Sequence, residues 1–209
     1  SYVQDYNHQR ANIWTRLPLH MCSINVTLYP LFFGLRKKIR PFFSSTLFAY
    51  MYFFGSAGAV LAMVVTAPSD CLGPTIHLLN YNVFTYWLKH GLIFILPILF
   101  VILGFYQPKL IDIVKACVFL IGLLCIMELV NLLFSWFNEL NGGTGICNYF
   151  YTRTGKGTAV LEQFYNFLPY ELIYMFPLAI IAIPIFFIYY LPIGIIEYVK
   201  KRNKTKRIC

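Results

Sequence analysis

Apolar residues run along this chain in long blocks set apart by short polar or charged breaks. Five blocks fall at about 17–35, 42–66, 87–106, 112–136 and 171–198. With a helical rise of about 1.5 Å per residue, such blocks are of the order needed to cross a hydrocarbon layer of roughly 30 Å. The pattern predicts an all-α fold: a polytopic membrane helix bundle of five spans, the first being the shortest. Tyrosines gather near the ends of the apolar runs, where amphipathic rings meet headgroups. No repeat is evident in the order of motifs. The polar stretch from Asn138 to Tyr170 is the one segment that departs from the membrane pattern.

Composition agrees. Of 209 residues, 59% are hydrophobic and only 12% charged, too little charge to cover a water-soluble globule of this size. The net charge of +9 sits in short basic clusters beside the apolar blocks. Anionic headgroups, not nucleic acid, are the partners such clusters meet.

The clusters also orient the chain. Twelve Lys/Arg lie in Arg36 to Arg40, at Lys109 and Lys115, and from Lys200 to Arg207; five (Arg10, Arg16, Lys89, Arg153 and Lys156) lie on the opposite side. The positive-inside rule makes the first set cytoplasmic. Residues 1–16 are then an extracytoplasmic segment, 17–198 a single transmembrane helical domain, and 199–209 a basic cytoplasmic tail. An outside start predicts a further, sixth span ahead of Ser1.

Candidate chemistry gathers at the outer side. His20 and Cys22 lie near the outer end of span one, and Lys89 and His90 at the outer start of span three. Ionisable groups at membrane depth are costly unless they face a cavity or a partner. Pro18 suits a first helical position, which puts Cys22 near the end of the first turn. There the helix dipole still favours a thiolate, though less than at its very start. Residues two apart on a helix point about 200° apart, so His20 and Cys22 do not share a face and His90 is the better base. A thiol with an imidazole is the minimal kit for acyl transfer through a thioester.

Plainer readings stand beside this one. A membrane-helix cysteine commonly packs as a small hydrophobe, and a backbone carbonyl can satisfy His90. Cys117 and Cys125 read as packing residues. Cys71 and Cys147, both in outer loops, are a candidate disulfide pair. Glu128 needs a partner at its depth, and Asn131, one turn along, is within reach of it. Six cysteines with no CxxC pair and no ligand spacing speak against a metal centre or a disulfide framework, and no cofactor is implied.

In order along the chain stand "LPLHMC" at 17–22, His90-Gly91 at the start of a span, Asn131 late in the next, "NYFY" at 148–151, and Pro169-Tyr170 before the last span. This ordered set resembles the YwaF-like integral membrane proteins and their eukaryotic relative, transmembrane protein 164, described as an acyltransferase acting on lysophospholipid. The resemblance implies six spans, Cys22 as the acyl-accepting nucleophile, and His20 and His90 as the matching histidines. Ser23 stands where relatives carry an acidic residue, and Thr-Arg-Thr-Gly-Lys-Gly follows "NYFY" in place of Lys-Pro.

The expected function is a membrane transacylase. In it Cys22, His90 and His20 are catalytic, and Asn148, Tyr149, Tyr151 and Asn131 are substrate-binding. Its partners are a phospholipid donor and a lysophospholipid or lipoprotein acceptor. Its setting is a bacterial cell membrane, or an endomembrane in a eukaryote, with the site facing outside. The rival expectation is a solute-binding or transport protein with an outward polar pocket and no covalent step.

Overall fold

The computed structural model describes residues 17, 19–35, 41–64, 81–143, 146–155 and 159–206, and all regular structure among them is helical. Helix α1 is Met21–Leu35. Helix α2 covers 41–64 in three joined pieces: Pro41–Tyr50, a π-helical turn at Met51–Gly55, and Ser56–Val64. Then come α3 (Tyr81–Ile102), α4 (Leu110–Leu140), α5 (Ala159–Phe167) and α6 (Phe176–Lys206), with 3-10 turns at Tyr149–Tyr151 and Ile173–Met175.

Four stretches are long and apolar enough to cross a bilayer: Ser44–Val64, Val83–Ile102, Leu110–Leu140 and Ile173–Ile196. The protein is an integral membrane helix bundle. The first expected span is corrected, because the 15 residues of α1 rise only about 22 Å, short of the roughly 30 Å of hydrocarbon. Helix α3 starts at Tyr81, before the expected 87. Thr85 bonds within the helix, donating to the Tyr81 carbonyl at 2.7 Å. Helix α6 continues past 198 through much of the basic tail, to Lys206.

Glycine decides where two helices stop. Gly104 (φ +75°) and Gly142 (φ +72°) take the left-handed conformation that ends a helix. In each case the residue after the glycine donates five residues back: Phe105 to the Phe100 carbonyl and Gly143 to that of Asn138. Helix α4 begins with Asp112 accepting from the Lys109 N–H at 3.0 Å and pairing with Lys115 at 2.7 Å.

Helix α2 is the centre of the bundle. Its first half packs on α4, its second half on α3, and α1 lies across the π-helical turn and α3. Phe48, Tyr50, Phe53, Phe100 and Ile93 meet there with Phe186 of α6 in one buried cluster. Tyrosine hydroxyls tie helices to carbonyls: Tyr29 of α1 to Ile93 of α3 at 3.0 Å, and Tyr86 of α3 to Ala62 of α2 at 2.7 Å. Between α4 and α6 an apolar groove of about 620 Å³ is lined by Leu110, Ile113, Cys117 and Phe187 among others, far from the polar side chains discussed next.

Candidate active site

The start of α1 is set by a contact from across the molecule. The Leu17 N–H donates to the Tyr149 hydroxyl at 2.8 Å, and the chain bends before the helix begins. The His20 carbonyl then accepts from Ser23 (2.9 Å) and Ile24 (3.0 Å), so helical residues start at Met21. This corrects the expected start near Pro18, a residue outside those described. Cys22 is the second residue of the helix, not the end of its first turn. It therefore sits where the unpaired N–H groups and the positive end of the dipole act most strongly.

Cys22 meets His90. The His90 Nε2 lies 3.2 Å from the Cys22 Sγ, and its Nδ1 lies 2.8 Å from the Tyr86 carbonyl one turn earlier in α3. A carbonyl oxygen only accepts, so Nδ1 carries the hydrogen and Nε2 presents its lone pair to the thiol. The Cys22 S–H is the donor. Tyr86 is itself anchored to α2 through Ala62, and its ring lies 4.2 Å from the His90 ring, so the imidazole is held on two sides. His90 is only 3% exposed. The plain reading of His90, satisfied by a carbonyl, and the functional one, facing a thiol, therefore both hold, one at each nitrogen. Tyr86 escaped the sequence reading, although its spacing of four residues was the available signal.

His20 does not join this pair. Its ring centroid lies 5.4 Å from Tyr149 and 5.6 Å from Tyr151. The cover of those rings, and next the Lys89 charge, lower its pKa below the ordinary 6.5. The folded chain thus binds this proton less readily than the unfolded one. Its contribution to stability is present above about 6.5 and is lost as pH falls from there through the lower folded value. NMR of labelled histidine should give His20 a midpoint below 6.5, and His20→Gln should flatten the acid limb of the stability profile.

The segment after α4 is held by a polar network. Asn131, fully buried, donates to the Tyr149 carbonyl (2.9 Å) and Thr152 Oγ1 (2.8 Å) and accepts from the Tyr149 N–H (2.8 Å). Thr152 donates to Glu128 at 2.5 Å, and Arg153 pairs with Glu128 at 3.1 Å and Glu171 at 3.5 Å. The expected Glu128 to Asn131 contact is thus corrected: Thr152 bridges them. Phe150 (φ 58°) and Tyr151 (φ 56°) are left-handed, a strained pair that the network and the Tyr174 hydroxyl on the Tyr151 carbonyl hold in place.

That turn aims Tyr149 and Tyr151 at His20. The Asn148 side chain is engaged inside the loop, donating to the Thr154 carbonyl at 2.7 Å and accepting from Arg153 (3.0 Å) and Thr154 (3.3 Å). Asn131 and Asn148 therefore shape the site from behind. Asn131→Leu strips the Tyr149 N–H and carbonyl of their partner, at about 1–3 kcal/mol for each buried group left unpaired. Thermal unfolding in detergent is expected to show that loss.

Cys147 is buried in the same segment, and burial pushes its thiol pKa up. Its expected partner Cys71 lies outside the described residues. Among the described residues, no three His, Cys, Asp or Glu side chains converge as a metal site would require.

A thiol, an imidazole of defined tautomer, and a nearby pair of tyrosine rings together suit nucleophilic chemistry at a carbonyl. The TMEM164 family model matches residues 2–190, and the chain belongs to that family. No curated protein and no solved structure matches it.

Proposed function

We propose that this TMEM164-family member is an integral membrane transacylase that moves a fatty acyl chain from a phospholipid through a thioester on Cys22. The observation that carries the reading is the 3.2 Å contact of Cys22 Sγ with His90 Nε2, whose other nitrogen is held as a donor by the Tyr86 carbonyl. His90 takes the Cys22 proton, and the thiolate adds to the ester carbonyl. The C–O bond then breaks, and the departing lysophospholipid oxygen takes the proton from His90. In the second half an acceptor hydroxyl or amine gives its proton to His90 and attacks the thioester, and the sulfur leaves as the thiol. One ester is exchanged for another, so no energy source is needed when the acceptor is an alcohol.

The charge bias supports an outward-facing site with the C-terminus in the cytoplasm. Acyl-CoA is cytoplasmic, so a membrane phospholipid is the donor such a site can reach. Lys89 lies within electrostatic range of both histidines and has the sign a phosphate requires. His20, Tyr149 and Tyr151 form the outer wall against which a headgroup and its glycerol would rest. The acceptor is a lysophospholipid or a lipoprotein amine.

The test uses the purified protein in liposomes of phosphatidylcholine carrying a deuterated acyl chain. Addition of lysophosphatidylethanolamine is expected to yield labelled phosphatidylethanolamine, and intact-mass analysis to show a hydroxylamine-sensitive acyl adduct on Cys22. Failure of both would remove the reading and favour a non-covalent binding or transport protein.

A further inference from the structure

One side of the thiol is not used by the mechanism above. Asn25 lies three residues beyond Cys22 on the same face of α1, one turn deeper in the bundle. It is 1% exposed, and its carboxamide oxygen has no hydrogen-bond partner in the protein. The Tyr50 hydroxyl and Ser56 Oγ, both on fully buried residues of α2, are in the same condition. Buried polar groups are normally paired, so three from α1 and α2 that find no protein hydrogen-bond acceptor or donor leave room for a further polar partner. Cys22 packs against the buried cluster that contains Tyr50, and the Asn25 carboxamide is close enough to the Tyr50 hydroxyl to influence it.

The backbone is shaped around this spot. Tyr50 directly precedes the π-helical turn Met51–Gly55, an irregularity that recurs at functional sites. Gly55, in that turn, faces α1: a Cβ there would meet Asn25 Oδ1 at an ordinary contact distance of 3.5 Å. The Tyr50 ring is fixed by Phe119 at 4.9 Å and Phe54 at 6.2 Å, so its hydroxyl cannot swing to another partner.

Resting on the thioester reading, we infer that this spot is the oxyanion site and that Tyr50 is its donor. When the Cys22 sulfur bonds to the ester carbonyl carbon, the π pair of the carbonyl moves onto its oxygen. The Tyr50 O–H donates to that oxygen without giving up its proton. Asn25, its carboxamide turned about the last side-chain bond, offers Nδ2–H as the second donor. When the C–O bond of the donor lipid breaks, the pair returns and the carbonyl is restored. His90 handles protons and Tyr50 handles charge, a division found where acyl transfer is catalysed by preorganised dipoles.

The test compares two reactions at Cys22 in the full chain in detergent micelles. Acylation by p-nitrophenyl octanoate passes through a tetrahedral oxyanion; alkylation by iodoacetamide does not. Tyr50→Phe keeps the ring packing and removes only the hydroxyl, so the fold should survive. Acylation is expected to fall about 10²- to 10³-fold, the loss typical of one oxyanion donor, with alkylation within about twofold of wild type. Unchanged acylation in Tyr50→Phe, with the Cys22 adduct forming normally, would overturn the assignment and leave the thioester mechanism standing. Equal loss of both reactions would also overturn it, marking Tyr50 as a support for the thiol. Absence of any Cys22 adduct in the wild type would overturn the thioester reading itself.

Discussion

Cys22→Ser is expected to abolish acyl transfer, by at least about 10³-fold, while leaving the bundle folded. The replacement is close to isosteric at a half-buried position, so helix α1 and its contact with α3 remain. Chemistry changes far more than packing. A serine hydroxyl is a much weaker acid than a thiol, and the imidazole facing it is held by a neutral carbonyl and not by a carboxylate that would stabilise the imidazolium. A base oriented in this way suits an acidic nucleophile, which is a physical reason for sulfur at this position. The measurement is transfer of a labelled chain between phospholipids in liposomes, alongside thermal unfolding. Full transfer in a folded Cys22→Ser protein would sink covalent catalysis at this residue.

His90→Gln should cost about 10²- to 10⁴-fold, the usual worth of a positioned general base. Glutamine can still bond the Tyr86 carbonyl through its amide, but it offers no nitrogen lone pair to the sulfur. The signature is therefore in the pH dependence as well as the rate. In the variant hydroxide must supply the thiolate, so transfer should rise about tenfold per pH unit until the thiol itself titrates. The wild type should lack that steep rise through neutral pH. An identical pH profile in the two proteins would remove His90 as the base. His20→Gln is expected to have a much smaller effect on the chemical step, because His20 stacks on tyrosines and does not meet the sulfur. The two histidines, alike in the sequence, are thus distinguished by one pair of measurements.

The parts of the site differ in how legible they were. The Cys22 and His90 encounter was readable in outline, since the apolar blocks and the charge bias bring spans one and three to a common depth at one membrane face. The helical angle expected between His20 and Cys22 does not apply, because His20 lies before the first helical residue, Met21. What the spacing misjudged was the helix start. Leu17 is held by Tyr149, 132 residues away, so the first turn begins at Met21 and Cys22 moves into the strongest part of the dipole. Asn131 and Asn148 carry polar side chains in a suggestive place, yet their hydrogen bonds turn inward to the loop. Nothing in their residue type separates a ligand-binding amide from a bracing one, because both need the same donors and acceptors.

By itself the sequence determined the solvent. Long apolar blocks and scarce charge require a bilayer, and a bilayer requires each backbone to satisfy its own hydrogen bonds, hence helices. It also placed a thiol and two histidines near the ends of the apolar blocks. Only the tertiary structure decided how they meet: which His90 nitrogen faces the thiol, which histidine stands apart, and which buried polar side chains find no protein partner. Those outcomes depend on contacts between α1, α2, α3 and the segment after α4. Hydrophobic periodicity reports which environment a residue faces; it does not report which partner occupies that environment at hydrogen-bonding distance.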